Sequence, residues 1–123
     1  MKAVVTGGAG FIGSNLADAL LARGDEVVVV DNLASGKREN LEGDVELREQ
    51  DIRDDALELD ADVVFHLAAQ ADVNTSVQKP GYDASVNVLG TVNVLEAARR
   101  SGAKVVFSST GGAIYGEVRG PPA

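Results

Sequence analysis

The feature that most constrains this chain is a stretch near its start, Thr6-Gly7-Gly8-Ala9-Gly10-Phe11-Ile12-Gly13, where four glycines separate a valine-rich run from a helical pattern. A glycine turn between a strand and a helix brings backbone N–H groups and a helix N-terminus to one point, an arrangement that binds phosphate oxygens. Gly7 is expected to permit the tight turn, Gly10 to let the backbone approach a pyrophosphate, and Gly13 to let the helix pack closely on the strand. An ordinary glycine turn without a ligand is the alternative. Against it stands Asp31, 18 residues beyond Gly13 and at the end of the second valine run. A carboxylate there can accept hydrogen bonds from both hydroxyls of an adenosine ribose, and its charge repels a 2′-phosphate. The pattern therefore predicts NAD as cofactor rather than NADP. Lys37 and Arg38 in the next loop are read as solvated charges, with contact to a phosphate as the other possibility.

Valine-rich runs of strand length recur at Lys2 to Val5, Glu26 to Val30, Asp62 to Leu67 and Lys104 to Phe107. Runs of this kind suit strands covered on both faces, as in a parallel sheet. Val45 to Arg48 alternates apolar and polar residues, which predicts an edge strand. Between the runs, Phe11 to Arg23 carries Ile12, Leu16, Ala19 and Leu20 on one stripe and stops before Gly24. The segment Asp83 to Arg100 has a stripe of Val88, Val92 and Leu95, with Val86, Leu89 and Val94 on its other sides, and is followed by Gly102. Both segments are expected to be helices, the second apolar on more than one side. Alternating strands and helices predict an α/β fold: a Rossmann-like, doubly wound parallel sheet of about five strands in the order 3-2-1-4-5. Residues 1–123 are read as one domain with no internal repeat, and Gly116 to Ala123 propose no regular element.

With 45% apolar residues, 123 positions suffice for one core. The net charge of -8 disfavours nucleic acid and anionic membrane surfaces as partners. An anionic cofactor must then be held by local backbone geometry, which the glycine turn supplies. Without cysteine there are no disulfides or thiolate metal sites, and His66 is the only imidazole, so no metal site is expected. His66 lies inside an apolar strand and is read as a hydrogen-bonded core residue rather than a base. Glycines interrupt the apolar start, which argues against a secretory signal and for a cytoplasmic protein without a membrane segment. The acidic excess fits proteins of high-salt cytoplasms and many ordinary bacterial enzymes alike.

The glycines run Gly-x-x-Gly-x-x-Gly, and in this form the turn resembles the fingerprint of the extended short-chain dehydrogenase/reductases. Further motifs follow in register: Asp31-Asn32-Leu33, Asp51-Ile52-Arg53, His66-Leu67-Ala68-Ala69-Gln70, Asn87-Val88-Leu89-Gly90-Thr91, and Phe107-Ser108-Ser109-Thr110 ahead of Tyr115-Gly116. The resemblance covers essentially the whole chain and is to the sugar-nucleotide epimerases and dehydratases of that family, most of all UDP-glucose 4-epimerases and their relatives. It implies NAD as cofactor, a nucleotide-sugar substrate in the full-length protein, and transient oxidation at sugar C4. Phe11, Ile12 and Asn32 then join the cofactor contacts of the glycines and Asp31. Asp51 would meet the adenine's exocyclic amine and Ile52 its ring, Asp51 capping the next turn being the alternative. Leu67, Ala68, Ala69, Gln70 and Ser108 would line the cofactor, unless the small residues mark only a tight junction. Asn87 would tie its helix to neighbouring backbone near the active site. Thr110 is implied as the catalytic hydroxyl on the sugar, with Ser109 beside it; both sit at a strand end, where satisfying backbone groups is the other use for a hydroxyl.

The family's general base is a tyrosine in a Tyr-x-x-x-Lys helix. Tyr115 is followed at the fourth place by Arg119 and Tyr82 by Val86, so neither fits. The resemblance thus implies the cofactor-binding N-terminal part of a longer enzyme, its substrate-binding region absent, with a stand-alone nucleotide-binding module as the alternative. The helix expected over 83–100 carries more apolar surface than one sheet contact consumes, and family members dimerise through it. A homodimer or higher oligomer is therefore expected, with that helix or the exposed edge of the Lys104 to Phe107 strand at the contact.

Overall fold

The computed structural model describes residues 1–110; Tyr115-Gly116 and the expected tail after it lie outside the described residues. The elements are β1 (Lys2–Thr6), α1 (Phe11–Ala22), β2 (Glu26–Asp31), β3 (Glu46–Glu49), β4 (Val63–His66), α2 (Val73–Gln78), α3 (Pro80–Ala84), α4 (Gly90–Ser101) and β5 (Lys104–Phe107). A single wider helical turn, Ser85–Leu89, with i→i+5 character, joins α3 to α4. All strand pairs are parallel and the sheet order is β3-β2-β1-β4-β5, as the sequence predicts.

The valine runs become strands because β-branched side chains pack on both faces of a pleated surface. Their period of two divides them between two cores. Val4, Val28, Val30 and Val64 meet Leu57, Leu59, Val86, Val94, Ala97 and Ala98 on one face of the sheet. Ala3, Val5, Val27 and Val29 meet Ala17 and Leu20 of α1 on the other. The central strands are buried along their length, whereas β3 and β5 at the edges are half wet. Burying a valine such as Val94 completely contributes about 1.5–3 kcal/mol.

The helix faces differ from those expected. The stripe of Val88, Val92 and Leu95, together with Leu89, points outward, and the sheet side of α4 and the turn before it is formed by Val86, Gly90, Val94, Ala97 and Ala98. In α1 the buried positions are Gly13, Ser14, Ala17 and Leu20, while Ile12 and Ala19 are exposed and Leu16 half-buried. Small residues face the sheet because they let the helix axis approach it closely, so the larger side chains do not mark the inner face. The helical stretch also begins earlier than expected, at Pro80, which suits a first helical position because it has no N–H to lose. It ends where Gly102 takes the left-handed conformation (φ 74°) and Ala103 N–H returns to the Ala98 carbonyl. The short helix Val73–Gln78 was not expected; Asp72 caps it by accepting from Thr75 N–H at 3.2 Å.

Candidate functional site

A cleft of about 640 Å³ opens at the C-terminal ends of the strands. It gathers Gly7, Gly10, Phe11, Ile12 and Gly13 from the turn, Asp31 and Asn32 after β2, Asp51 and Ile52 after β3, Leu67, Ala68, Ala69 and Gln70 after β4, and Ser108 after β5. A neighbouring hollow of about 450 Å³ shares Leu67, Ala68, Ala69 and Ser108 with it and adds His66, Asn87, Thr91, Ser109 and Thr110. The residues singled out in the sequence thus fall in two adjoining spaces at the sheet end where open α/β folds bind ligands.

The turn is built so tightly that only one of its fingerprint glycines faces room. Gly7 has φ 70°, and a Cβ on it would lie 2.7 Å from Ala68 N. A Cβ on Gly13 would lie 2.4 Å from the Gly7 carbonyl oxygen and 2.7 Å from Gly8 Cα, so Gly13 packs on the turn itself. At Gly10 the sole neighbour is the Gly7 carbonyl oxygen at 3.4 Å, an ordinary contact, with cleft beyond. Gly10 is also the N-cap of α1 and supplies no side-chain acceptor, which leaves the amides of the first turn for a ligand.

Asp31 is 9% exposed and already engaged: Oδ2 accepts Ala9 N–H at 3.0 Å and Oδ1 accepts Leu33 N–H at 2.8 Å. Leu33 is held at φ 60°, a left-handed conformation costly for leucine, by that second bond. Each carboxylate oxygen keeps a further lone pair for a hydroxyl. Lys37 and Arg38 are exposed and do not line the cleft; the Lys37 backbone N–H instead donates to the Ala9 carbonyl at 3.0 Å.

Across the cleft, Asp51 Oδ1 accepts the backbone N–H and Nε of Arg53 at 2.8 and 3.0 Å, and Oδ2 accepts Arg53 Nη2 at 2.7 Å and Asn32 Nδ2 at 3.3 Å. The guanidinium hydrogen bonds hold the Asp51 carboxyl at a pKa of about 2, against partial burial that pushes the other way. Arg53 also donates to Ser85 Oγ at 3.3 Å and lies 5.2 Å from the centre of the Tyr82 ring. Ile52 is buried beneath the cleft against Gly90, where a Cβ would lie 2.5 Å from its Cδ1.

Asn87 grips the backbone of Gln70 from both sides. Its Oδ1 accepts Gln70 N–H at 2.7 Å, and its Nδ2 donates to the Gln70 carbonyl at 2.9 Å and to Asp83 Oδ1 at 3.1 Å. His66 is 3% exposed, with Nδ1 at 2.7 Å from Thr6 Oγ1 and Nε2 at 3.0 Å from Thr91 Oγ1, the bonded core position expected of it. Burial, which penalises the charged ring, lowers its pKa.

Sequence reasoning did not single out Gly36, Thr91 or Tyr82 as parts of the site. Gly36 lines the cleft, and a Cβ there would lie 2.9 Å from Asp31 Oδ2 and from Ala9. No spacing rule marks it, since it sits in a loop; Thr91 was legible only as the end of its motif. Tyr82 lines the cleft and was weighed only as a base.

A crossover sheet, a glycine turn opening a helix and an acid at the end of the second strand together define a Rossmann-type dinucleotide-binding domain. Residues 3–123 match the family model of the NAD-dependent epimerase/dehydratase family, and the chain belongs to that family. It is 49% identical, over its whole length, to the UDP-glucose 4-epimerase of Mycolicibacterium smegmatis, covering 42% of that protein. To the putative UDP-glucose 4-epimerase of Methanocaldococcus jannaschii it is 47% identical over 93% of the chain and 39% of the relative. Among solved structures, the Thermus thermophilus UDP-glucose 4-epimerase in complex with NAD superposes with a TM-score of 0.91 at 53% identity, over 97% of this chain and 40% of that one. The Thermotoga maritima UDP-glucose 4-epimerase with UDP-glucose gives 0.94 at 47% identity, over all of this chain and 42% of that one. The chain therefore spans about two fifths of the length of these relatives. Among the described residues, no helix is long and apolar enough to cross a membrane.

Proposed function

We propose that this chain binds NAD in the larger cleft, as the cofactor-binding part of a sugar-nucleotide epimerase of the UDP-glucose 4-epimerase kind. The observation that carries the reading is the cradle at Gly10: its Cβ position is open to the cleft while Gly7 and Gly13 are sealed by backbone. A pyrophosphate fits there, over the uncapped first turn of α1. Asp31 takes the adenosine ribose on its remaining lone pairs. The adenine lies between Asn32 and the Asp51–Ile52 wall, and because both Asp51 oxygens already accept two donors each, its exocyclic amine exchanges with the Asn32 amide. The other half of the dinucleotide runs along Leu67 to Gln70 and Ser108 toward the smaller hollow.

When bound, NAD supplies hydride acceptance at the sugar. This chain's residues hold it and keep Ser109 and Thr110 at the adjoining hollow, where Thr110 receives the sugar hydroxyl. The Tyr-x-x-x-Lys pair is not among its residues, so the chain by itself does not epimerise a nucleotide sugar; general acid–base help is typically worth about 100- to 10,000-fold. The same reading assigns a cytoplasmic setting and a homodimer through α4, the latter supported by the outward apolar face of that helix.

Gly10→Val tests the cradle. The folded protein has room for the first carbon, so thermal unfolding should move little, while the branched side chain fills the pyrophosphate position and NAD binding measured by calorimetry should disappear. Retained binding by a folded Gly10→Val protein would overturn the assignment.

A further inference from the structure

The stretch Leu67–Gln70 runs along both spaces and is held at its two ends by different side chains. At one end Thr6 Oγ1 accepts the N–H groups of Leu67 and Ala68 at 3.1 and 3.2 Å. At the other, Asn87 clamps Gln70 through both its N–H and its carbonyl. Between the two grips lies a buried imidazole that neither the cofactor nor the substrate reading uses.

Donor and acceptor counting assigns a direction to every bond in this path. Thr6 Oγ1 accepts the Ala68 N–H and shares the Leu67 N–H with the Thr6 carbonyl, and the acceptor within reach of its own proton is His66 Nδ1, 2.7 Å away. Thr91 Oγ1 donates to the Asn87 carbonyl at 2.7 Å, so it accepts from His66 Nε2 at 3.0 Å. His66 must then be neutral, with its proton on Nε2. The path reads Thr6 to His66 to Thr91 to Asn87 with all protons pointing the same way, and bonds aligned like this strengthen one another. The Phe107 ring of β5 lies beside the imidazole, with centroids 5.9 Å apart.

We infer that His66, through Thr6 and Thr91, is a positioning residue that couples the two grips on Leu67–Gln70 and so sets the ledge for the nicotinamide half of the dinucleotide. The inference rests on the NAD reading above, and it assigns His66 no contact with cofactor or substrate. Its consequence is selective. Ligands that end at the pyrophosphate do not reach the ledge, so ADP should be indifferent to the path while NAD feels it.

The experiment compares NAD and ADP affinities by calorimetry for the unaltered protein, Thr91→Val, Thr91→Ser and His66→Phe. Thr91→Val keeps shape and removes the hydroxyl that joins His66 to Asn87; NAD should weaken about fivefold or more with ADP unchanged, and Thr91→Ser should restore NAD. His66→Phe should match Thr91→Val. Nitrogen NMR of the unaltered protein should show His66 protonated on Nε2 and bare on Nδ1. The opposite tautomer, or equal weakening of NAD and ADP in Thr91→Val, would overturn the inference. Failure of the unaltered protein to bind NAD would instead overturn the cofactor reading itself.

Discussion

The Oδ2 atom of Asp31 accepts the backbone N–H of Ala9 at 3.0 Å. This one bond ties the end of β2 to the glycine turn, the two parts to which the proposed reading gives the ribose and the phosphates. Gly36 sits beside both partners, where a Cβ would lie 2.9 Å from Asp31 Oδ2 and from Ala9.

Gly36→Ala should therefore damage binding more than folding. The added Cβ would stand 2.9 Å from Asp31 Oδ2, which Ala9 N–H holds in place, and from the carbonyl carbon and Cβ of Ala9. The carboxylate must shift, and NAD affinity measured by calorimetry should fall about tenfold, or ~1.4 kcal/mol. Unchanged affinity would mean that Asp31 does not need its present position.

Stability should depend on pH through Asp51. Its pKa is lowered from 3.8 to about 2 by the Arg53 guanidinium, so the folded chain gains from the charged form above about pH 4 and loses that gain as pH falls from 4 toward 2. Urea unfolding of the protein and of Asp51→Asn should differ by about 1–2 kcal/mol at pH 6, a figure reduced for the partial exposure of the pair. The difference should shrink toward pH 2. A gap that stays constant or widens on acidification would contradict the pairing.

The outward face of α4 should mediate self-association. Val88, Leu89, Val92 and Leu95 are 63, 47, 49 and 48% exposed and lie together on the helix and the turn before it. Light scattering at micromolar protein and raised salt, which screens the -8 charge on each chain, should give at least a dimer mass. Leu95→Glu should give a monomer with its unfolding temperature kept. A monomer mass for the unaltered protein would exclude this contact.

The sheet was readable from the sequence because β1, β2, β4 and β5 are valine-rich runs of strand length and β3 alternates as an edge strand does. The order β3-β2-β1-β4-β5 was expected by analogy with the doubly wound pattern, whose crossovers are right-handed. The helix faces were not readable by the same route. Ala17, Ala97 and Ala98 sit in the cores against the sheet because close packing selects small residues, whereas periodicity reasoning follows the larger Ile12, Val88, Val92 and Leu95, which point outward. The wide turn at Ser85–Leu89 also shifts the phase between α3 and α4. At the site, Asp31 and the glycines stood out because their chemistry is unusual at those spacings, whereas Asp51 was marked only by the resemblance of its motif. Thr91 and Gly36 did not, because their importance comes from what the fold brings beside them: the imidazole of His66 in one case, the carboxylate of Asp31 in the other.

The central claim is that the cleft holds NAD with Asp31 against the adenosine ribose. Calorimetric titration of the purified protein with NAD and NADP, side by side in the same buffer, tests it most directly. A 2′-phosphate would be pressed against a carboxylate that is 9% exposed and fixed by Ala9 and Leu33, so NAD should bind at least about tenfold more tightly than NADP. Equal affinities, or no NAD binding at all, would contradict the account.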